Sequence, residues 1–161
     1  MKKEQFIQAA RELETPLYYT ARSILRNDED CADAVQEGLM HAFEKLHTLK
    51  EDRYFKTWLT KIVIRECYDI LRKQKKQVPY EDSMQEDAAW EPDRYSELYQ
   101  AILELPEELR VSVTLYYLEG FSVKETAEIL QVREGTVKSR LSRARGKLKE
   151  CLDYSREVSV C

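Results

Sequence analysis

The sequence predicts an all-α protein built as two small helical domains joined by an extended acidic linker, and three observations carry that expectation. Leu, Glu, Lys, Arg and Ala recur at helical spacing over long stretches, while 161 residues include only four Gly and four Pro, too few for a fold made of tight β-turns. Charge is segregated along the chain: residues 1–76 hold fifteen basic and thirteen acidic side chains, residues 110–161 ten and seven, and residues 77–109 one and ten, within a net charge of −4. The stretch "QVPYEDSMQEDAAWEPDRY" has no helical period, contains Pro79 and Pro92, and repels itself. The expected boundaries are therefore 1–76, a linker at 77–94, and 95–161.

In the N-terminal half, Thr15 before Pro16 reads as an N-cap with proline at the first helical position, followed by an apolar stripe of Leu17, Ala21, Ile24 and Leu25. Asp28 or Asp30 is placed to cap the next helix, "CADAVQEGLMHAFEKL". There Val35, Leu39, Ala42, Phe43 and Leu46 are expected to face a core, and Asp33, Gln36 and Glu37 to face away. By composition alone that outer face is a solvated polar surface. The helix from Phe55 to Lys76 carries two stripes. Phe55, Trp58, Leu59, Ile62 and Val63 form an apolar side. Lys61, Arg65, Asp69, Arg72 and Lys76 fall within about 80° of one another at about 100° per residue. Its tail "RKQKK" puts four positive charges in five residues, which suits phosphates. Favourable charge at a helix C-terminus would explain the tail but not Lys61 and Arg65.

In the C-terminal half, "SELYQAILELPEELRVSVTLYYLEGFS" gives two amphipathic helices, broken at Pro106 and closed at Gly120. Ser122 with Glu125 three residues on is a capping box opening a third helix, and a turn at Gln131 and Val132 leads to a fourth. Small Ala127 with Leu130, Val132 and Val137 allows the close crossing of a helix-turn-helix. On the last helix Val137, Leu141, Ala144 and Leu148 share one face within about 60°. Opposite stand Ser139, Ser142 and Gly146, flanked by Lys138 and Arg145 on one side and Arg140, Arg143 and Lys147 on the other. A narrow surface of small residues rimmed by cations suits entry into a major groove, with small side chains at base edges and cations on guanine or phosphate.

Composition excludes several classes. No apolar run approaches the roughly 20 residues that span a bilayer, and the charged start "MKKEQFIQAAREL" is not a signal peptide, so a cytoplasmic protein without direct membrane insertion is expected. Cys31, Cys67, Cys151 and Cys161 form no C-x-x-C pair, and His41 and His47 lie off one helical face. No metal, other cofactor or catalytic residue is implied, and the cysteines read as inert thiols, Cys161 being the one open to a redox role.

With these residues placed, the chain resembles the small two-domain sigma factors of bacterial RNA polymerase, the extracytoplasmic-function (ECF) group of the sigma-70 family. The match is carried by "LPEELRVSVTLYYLEGFSVKETAEILQVREGTVKSRLSRARGKL", most specifically "GTVKSRLSRAR", and by "CADAVQEGLMHAF" followed by "FKTWLTKIVIRECYDILRK". The resemblance implies a non-enzymatic factor that binds core RNA polymerase, recognises minus-10 and minus-35 promoter elements and promotes strand opening. It implies that Asp33, Gln36 and Glu37 dock on the polymerase. It implies that the helix bearing Lys61, Arg65, Asp69, Arg72 and Lys76 reads and opens the minus-10 element along single-stranded non-template DNA, with "HTLKEDRY" holding an extruded base. On the minus-35 helix Lys138, Ser139, Ser142 and Arg143 are placed to meet bases, and Arg140, Arg145 and Lys147 to hold phosphates of duplex DNA. An anti-sigma factor, often membrane-anchored in the family, is a further implied partner. Arg65 in place of asparagine, Thr126 in place of an aliphatic residue, Gln131 in place of glycine and Ser142 in place of a larger ring depart from the common pattern. They bear on which promoter is read.

Two other readings compete. A helix-turn-helix repressor or response regulator would also carry such a reading helix, but residues 1–76 offer no phosphoacceptor pocket, ligand barrel or dimer heptad. A nucleic-acid enzyme using Glu81, Asp82, Glu86 and Asp87 on Mg²⁺ would need those carboxylates on rigid elements rather than in a linker. The eighteen linker residues reach about 60 Å when extended. Promoter elements one and a half helical turns apart are separated by about 50 Å.

Overall fold

The computed structural model describes residues 1–77 and 96–159, and every regular element among them is helical. The chain divides into two compact units, Met1–Asp87 and Ala88–Cys161. The linker expected at 77–94, its carboxylates and Cys161 lie outside the described residues, apart from Gln77 at the end of a helix.

In the first unit α1 (Lys3–Ile24), α2 (Asp28–Glu44) and α3 (Phe55–Gln77) pack on one another, with short 3₁₀ turns at Leu46–Thr48 and Asp52–Tyr54. Contrary to the expected start at Thr15, α1 runs through Pro16. Phe6 and Ala10 lie on the same face as Leu17, Ala21 and Ile24, and all five are buried. Burying Phe6 and its neighbours, at about 1.5–3 kcal/mol for a large side chain, offsets the roughly 3 kcal/mol of an internal proline. The start of α2 also differs from expectation. Asn27, not an aspartate, is its cap, with its Oδ1 accepting from the backbone N–H of Glu29 at 2.8 Å and Asp30 at 3.2 Å. That frees both aspartates to tie helices together. Asp28 accepts from the Tyr18 hydroxyl at 2.7 Å and pairs with Arg22 at 3.2 Å, and Asp30 accepts from Gln74 at 2.5 Å. Burial and the Asp28 carboxylate push the Tyr18 phenol upward from its ordinary pKa, so it stays a donor.

The buried lines of α2 and α3 are rotated from the expected ones. On α2 the core side is Cys31, Ala34, Val35, Gly38 and Ala42, whereas Phe43 is 40% exposed at the rim, its ring edge-on to Phe6 at 5.4 Å. On α3 it is Phe55, Leu59, Thr60, Val63, Ile64 and Cys67, with Trp58 and Ile62 only half-buried. Close approach explains the shift. A Cβ added at Gly38 would lie 2.7 Å from a Val63 methyl and 3.1 Å from its Cα, so α2 meets α3 through small residues rather than large ones. Gly38→Val is expected to destabilise the first unit by about 3 kcal/mol, read as a lowered denaturation midpoint. An unchanged midpoint would contradict this packing.

In the second unit α4 (Ser96–Leu103), α5 (Glu107–Val113, continuing as a π turn over Thr114–Leu118), α6 (Val123–Leu130) and α7 (Glu134–Ser159) enclose a core that includes Ile102, Leu109, Val113, Ala127, Val137 and Leu141. Pro106 separates α4 from α5 as expected. The carbonyls left open there are met by Arg110, 5% exposed, which donates to those of Leu103 at 3.3 Å and Leu105 at 3.2 Å. The expected capping box is present. Glu125 N–H donates to Ser122 Oγ and Ser122 N–H to Glu125 Oε1, each at 3.0 Å. Gln131 turns the chain with φ 56° in the left-handed region, where glycine would be unstrained, and Val132 N–H closes onto the Ala127 carbonyl at 3.0 Å. Thr126, on the inner side of α6, is fully buried and its hydroxyl has no partner. Thr126→Val, which keeps the shape and removes the stranded group, is expected to stabilise this unit by about 1 kcal/mol in thermal unfolding.

Candidate nucleic-acid interface

The capping box, the left-handed turn and the Ala127 crossing fix α7 against α6 as a helix-turn-helix, with Val137, Leu141 and Ala144 buried and Leu148 half-buried. The face pointing away from this core is centred on Ser139, Ser142 and Gly146, all exposed, with Lys138 and Arg143 exposed at its edges. Nothing larger than serine stands along its centre line, so a base edge can approach the helix closely, and Lys138 and Arg143 can reach in from either side.

The remaining cations of α7 fall into different surroundings. Lys147 is exposed. Arg140 has a side chain only 17% exposed and lies 3.9 Å from Glu108 on α5, so part of its charge is already answered within the unit. Arg145 is exposed, and its Nη1 donates to the Tyr117 hydroxyl at 2.9 Å. By position along α7 alone, Arg140 and Arg145 are equivalent candidates for holding phosphates. Their neighbours come from a non-adjacent helix, which spacing along α7 does not reveal.

On α3 the rotation of the buried line sets the basic stripe directly opposite the core. Arg65, Arg72 and Lys76 are exposed, and Lys61 and Asp69 are half-exposed. Asp69 forms an ion pair with Arg72, so the stripe carries an internal acceptor that holds one guanidinium in place. The same rotation moves half-buried Trp58 and Ile62 beside the stripe, giving it an apolar and aromatic margin that the sequence pattern assigned to the core. The turn before α3 presents Tyr54, 49% exposed, with the Arg53 guanidinium 4.8 Å from its ring centre. Cationic side chains interleaved with stacking surfaces are the chemistry that single-stranded nucleic acid uses.

Asp33, Gln36 and Glu37 are all exposed on α2. At about 100° per residue, Met40 falls among them, and it is 54% exposed. A single methionine on a polar face gives no periodic signal, so Met40 is not marked by the sequence pattern. Among the described residues no group of His, Cys, Asp and Glu is arranged to hold a metal, and no helix is long and apolar enough to cross a membrane. Cys31 and Cys67 are buried, and burial, with Cys31 and Glu66 nearby, pushes the Cys67 thiol upward, away from the reactive thiolate.

Comparison with known proteins matches both units. A family model for sigma-70 region 2 covers residues 9–77 and one for sigma-70 region 4 covers residues 95–148. The chain is 34% identical over 152 residues to the ECF RNA polymerase sigma factor SigM of Mycobacterium tuberculosis, spanning 92% of this chain and 78% of that one. It is 32% identical over 152 residues to the RNA polymerase sigma factor SigV of Bacillus subtilis, spanning 89% and 92%. Among solved structures, the sigma factor RpoE of Bartonella quintana, crystallised with the anti-sigma factor NepR, superposes with a TM-score of 0.80 at 28% identity, over 93% of this chain and 98% of that one. A helix-turn-helix with a cation-rimmed reading face, a second unit with a basic stripe opposite its core, and relatives that align across both units lead to one assignment: the chain belongs to the ECF sigma factors of bacterial RNA polymerase.

Proposed function

We propose that the two units divide promoter recognition between them, with residues 1–76 binding core polymerase and the minus-10 element, 77–94 connecting, and 95–161 reading the minus-35 element. The observation that carries this is the outward face of α7, where Ser139 and Ser142 lie between Lys138 and Arg143 with no bulky side chain in the way. Lys138, Ser139, Ser142 and Arg143 select bases. Arg145 and Lys147 hold phosphates, and Arg140 does so after exchanging its contact with Glu108. Lys61, Arg65, Arg72 and Lys76 guide the non-template strand along α3, Asp69 orients Arg72, and Trp58 offers a stacking surface for unpaired bases. Strand opening costs stacking energy, which these contacts offset.

Asp33, Gln36 and Glu37 form the polymerase-docking face, with the Met40 side chain as its apolar anchor. Methionine adapts to an irregular partner surface, and flanking carboxylates select a basic one. The chain supplies specificity in the cytoplasm while the polymerase performs the chemistry. An anti-sigma factor is the regulatory partner this reading anticipates, as the RpoE relative is seen bound to one.

The test is binding with and without core polymerase. Purified chain should co-elute with core enzyme and gain promoter-specific retention only in that complex. Tight, specific binding to a duplex by the chain alone would favour a repressor instead.

A further inference from the structure

We propose that the Tyr117 hydroxyl and the Arg145 guanidinium form a two-donor seat for one backbone phosphate of duplex DNA, extending the contact surface from α7 onto the π turn that closes α5. The proposal rests on the reading of α7 as the duplex-binding helix. Both side chains are exposed, and they are joined by a hydrogen bond of 2.9 Å that runs from Arg145 Nη1 to the Tyr117 oxygen. A phenol has one proton and acceptor lone pairs. Arg145 occupies an acceptor position, so the Tyr117 O–H remains a donor for a group outside the protein. No carboxylate of a described residue pairs with Arg145, whereas Arg140 lies near Glu108. The Arg145 charge and the Tyr117 proton therefore call for the same kind of partner, an anionic oxygen, which a phosphate supplies twice over.

The backbone sets Tyr117 in this position. Ser112 and Thr114 donate their hydroxyls back to the carbonyls of Glu108 and Arg110, each at 2.9 Å, a pattern that bends helices. The turn that follows is widened to a π turn, closed by Glu119 N–H on the Thr114 carbonyl at 3.0 Å. The Tyr116 ring, packed against the core, meets the Tyr117 ring edge-on at 4.8 Å and steadies it. Along α7, Lys138 and Arg145 share one flank about 10 Å apart. The seat thus continues a line of cations on the edge of the reading face.

The experiment uses the full chain bound to core polymerase and promoter duplexes in which one phosphate at a time across the upstream element is replaced by an uncharged methylphosphonate. On native DNA, Tyr117→Phe, which keeps the ring contact with Tyr116, should weaken binding about 5-fold at every promoter, and Arg145→Ala about 10-fold with a salt slope shallower by about one. At one methylphosphonate position the wild type should lose the most affinity, and each variant, which keeps one donor to that phosphate, should lose less. Tyr117→Phe binding as tightly as wild type would overturn the seat, as would a Tyr117→Phe variant that loses as much affinity as wild type at every methylphosphonate position. Failure of the underlying reading looks different: the wild-type complex would then show no dependence on the upstream element at all, and the seat would fall with it.

Discussion

Lys138→Ala with Arg143→Ala is expected to lower initiation at the chain's own promoters about 100-fold while leaving polymerase binding intact. Each side chain stands at an edge of the open α7 face and can form a base contact, and a good base contact contributes about 1–3 kcal/mol of discrimination. Two of them give a loss near two orders of magnitude. The loss should depend on the promoter, because bases differ where phosphates do not. Initiation measured across a set of upstream-element variants separates the two cases. An even loss at every sequence would move Lys138 and Arg143 to the backbone-holding group. Both side chains are exposed and neither supports the core, so unfolding should be unaffected.

Asp33→Arg with Glu37→Arg is expected to abolish measurable assembly with core polymerase, a loss of at least about 100-fold in affinity. Reversing charge on a docking face replaces attraction with like-charge contact, which costs several kcal/mol across an interface. Met40→Ala should weaken assembly about 10-fold without altering its salt dependence, because only apolar burial is removed. Titration of labelled core enzyme measures both. Wild-type affinity in the charge-reversal variant would show that the acidic face of α2 is merely solvated, as its composition alone allows.

What the sequence made legible, and what it did not, follows from the range of the forces involved. The helix-turn-helix was readable in detail because its signals are local. Ser122 and Glu125 cap each other within one turn, Gln131 occupies a turn position, and the buried side of α7 is spaced at a helical period. The first unit was readable as helices but not in their rotation or, for α1, its start. Pro16 is a strong local signal overridden by burial of Phe6 and Ala10. The large residues Phe43, Trp58 and Ile62 drew the expected core lines toward themselves, whereas α2 comes close to α3 at Gly38, on the same buried side as Ala34 and Ala42.

The candidate sites show the same divide. The outward face of α7 and the basic stripe of α3 come from residues on one helix and could be read from spacing. The Arg140–Glu108 and Arg145–Tyr117 contacts join residues 32 and 28 positions apart, and no local pattern encodes them. Met40 gave no signal because one apolar side chain on a polar face is an ordinary occurrence.

The most direct measurement of the central claim is transcription in vitro from genomic DNA by core polymerase with and without the purified chain, with RNA start sites mapped. Starts that appear only with the chain, share upstream sequence at two positions about one and a half helical turns apart, and shift in preference when Lys138 and Arg143 are replaced are the predicted result. A start-site map unchanged by adding the chain would contradict it.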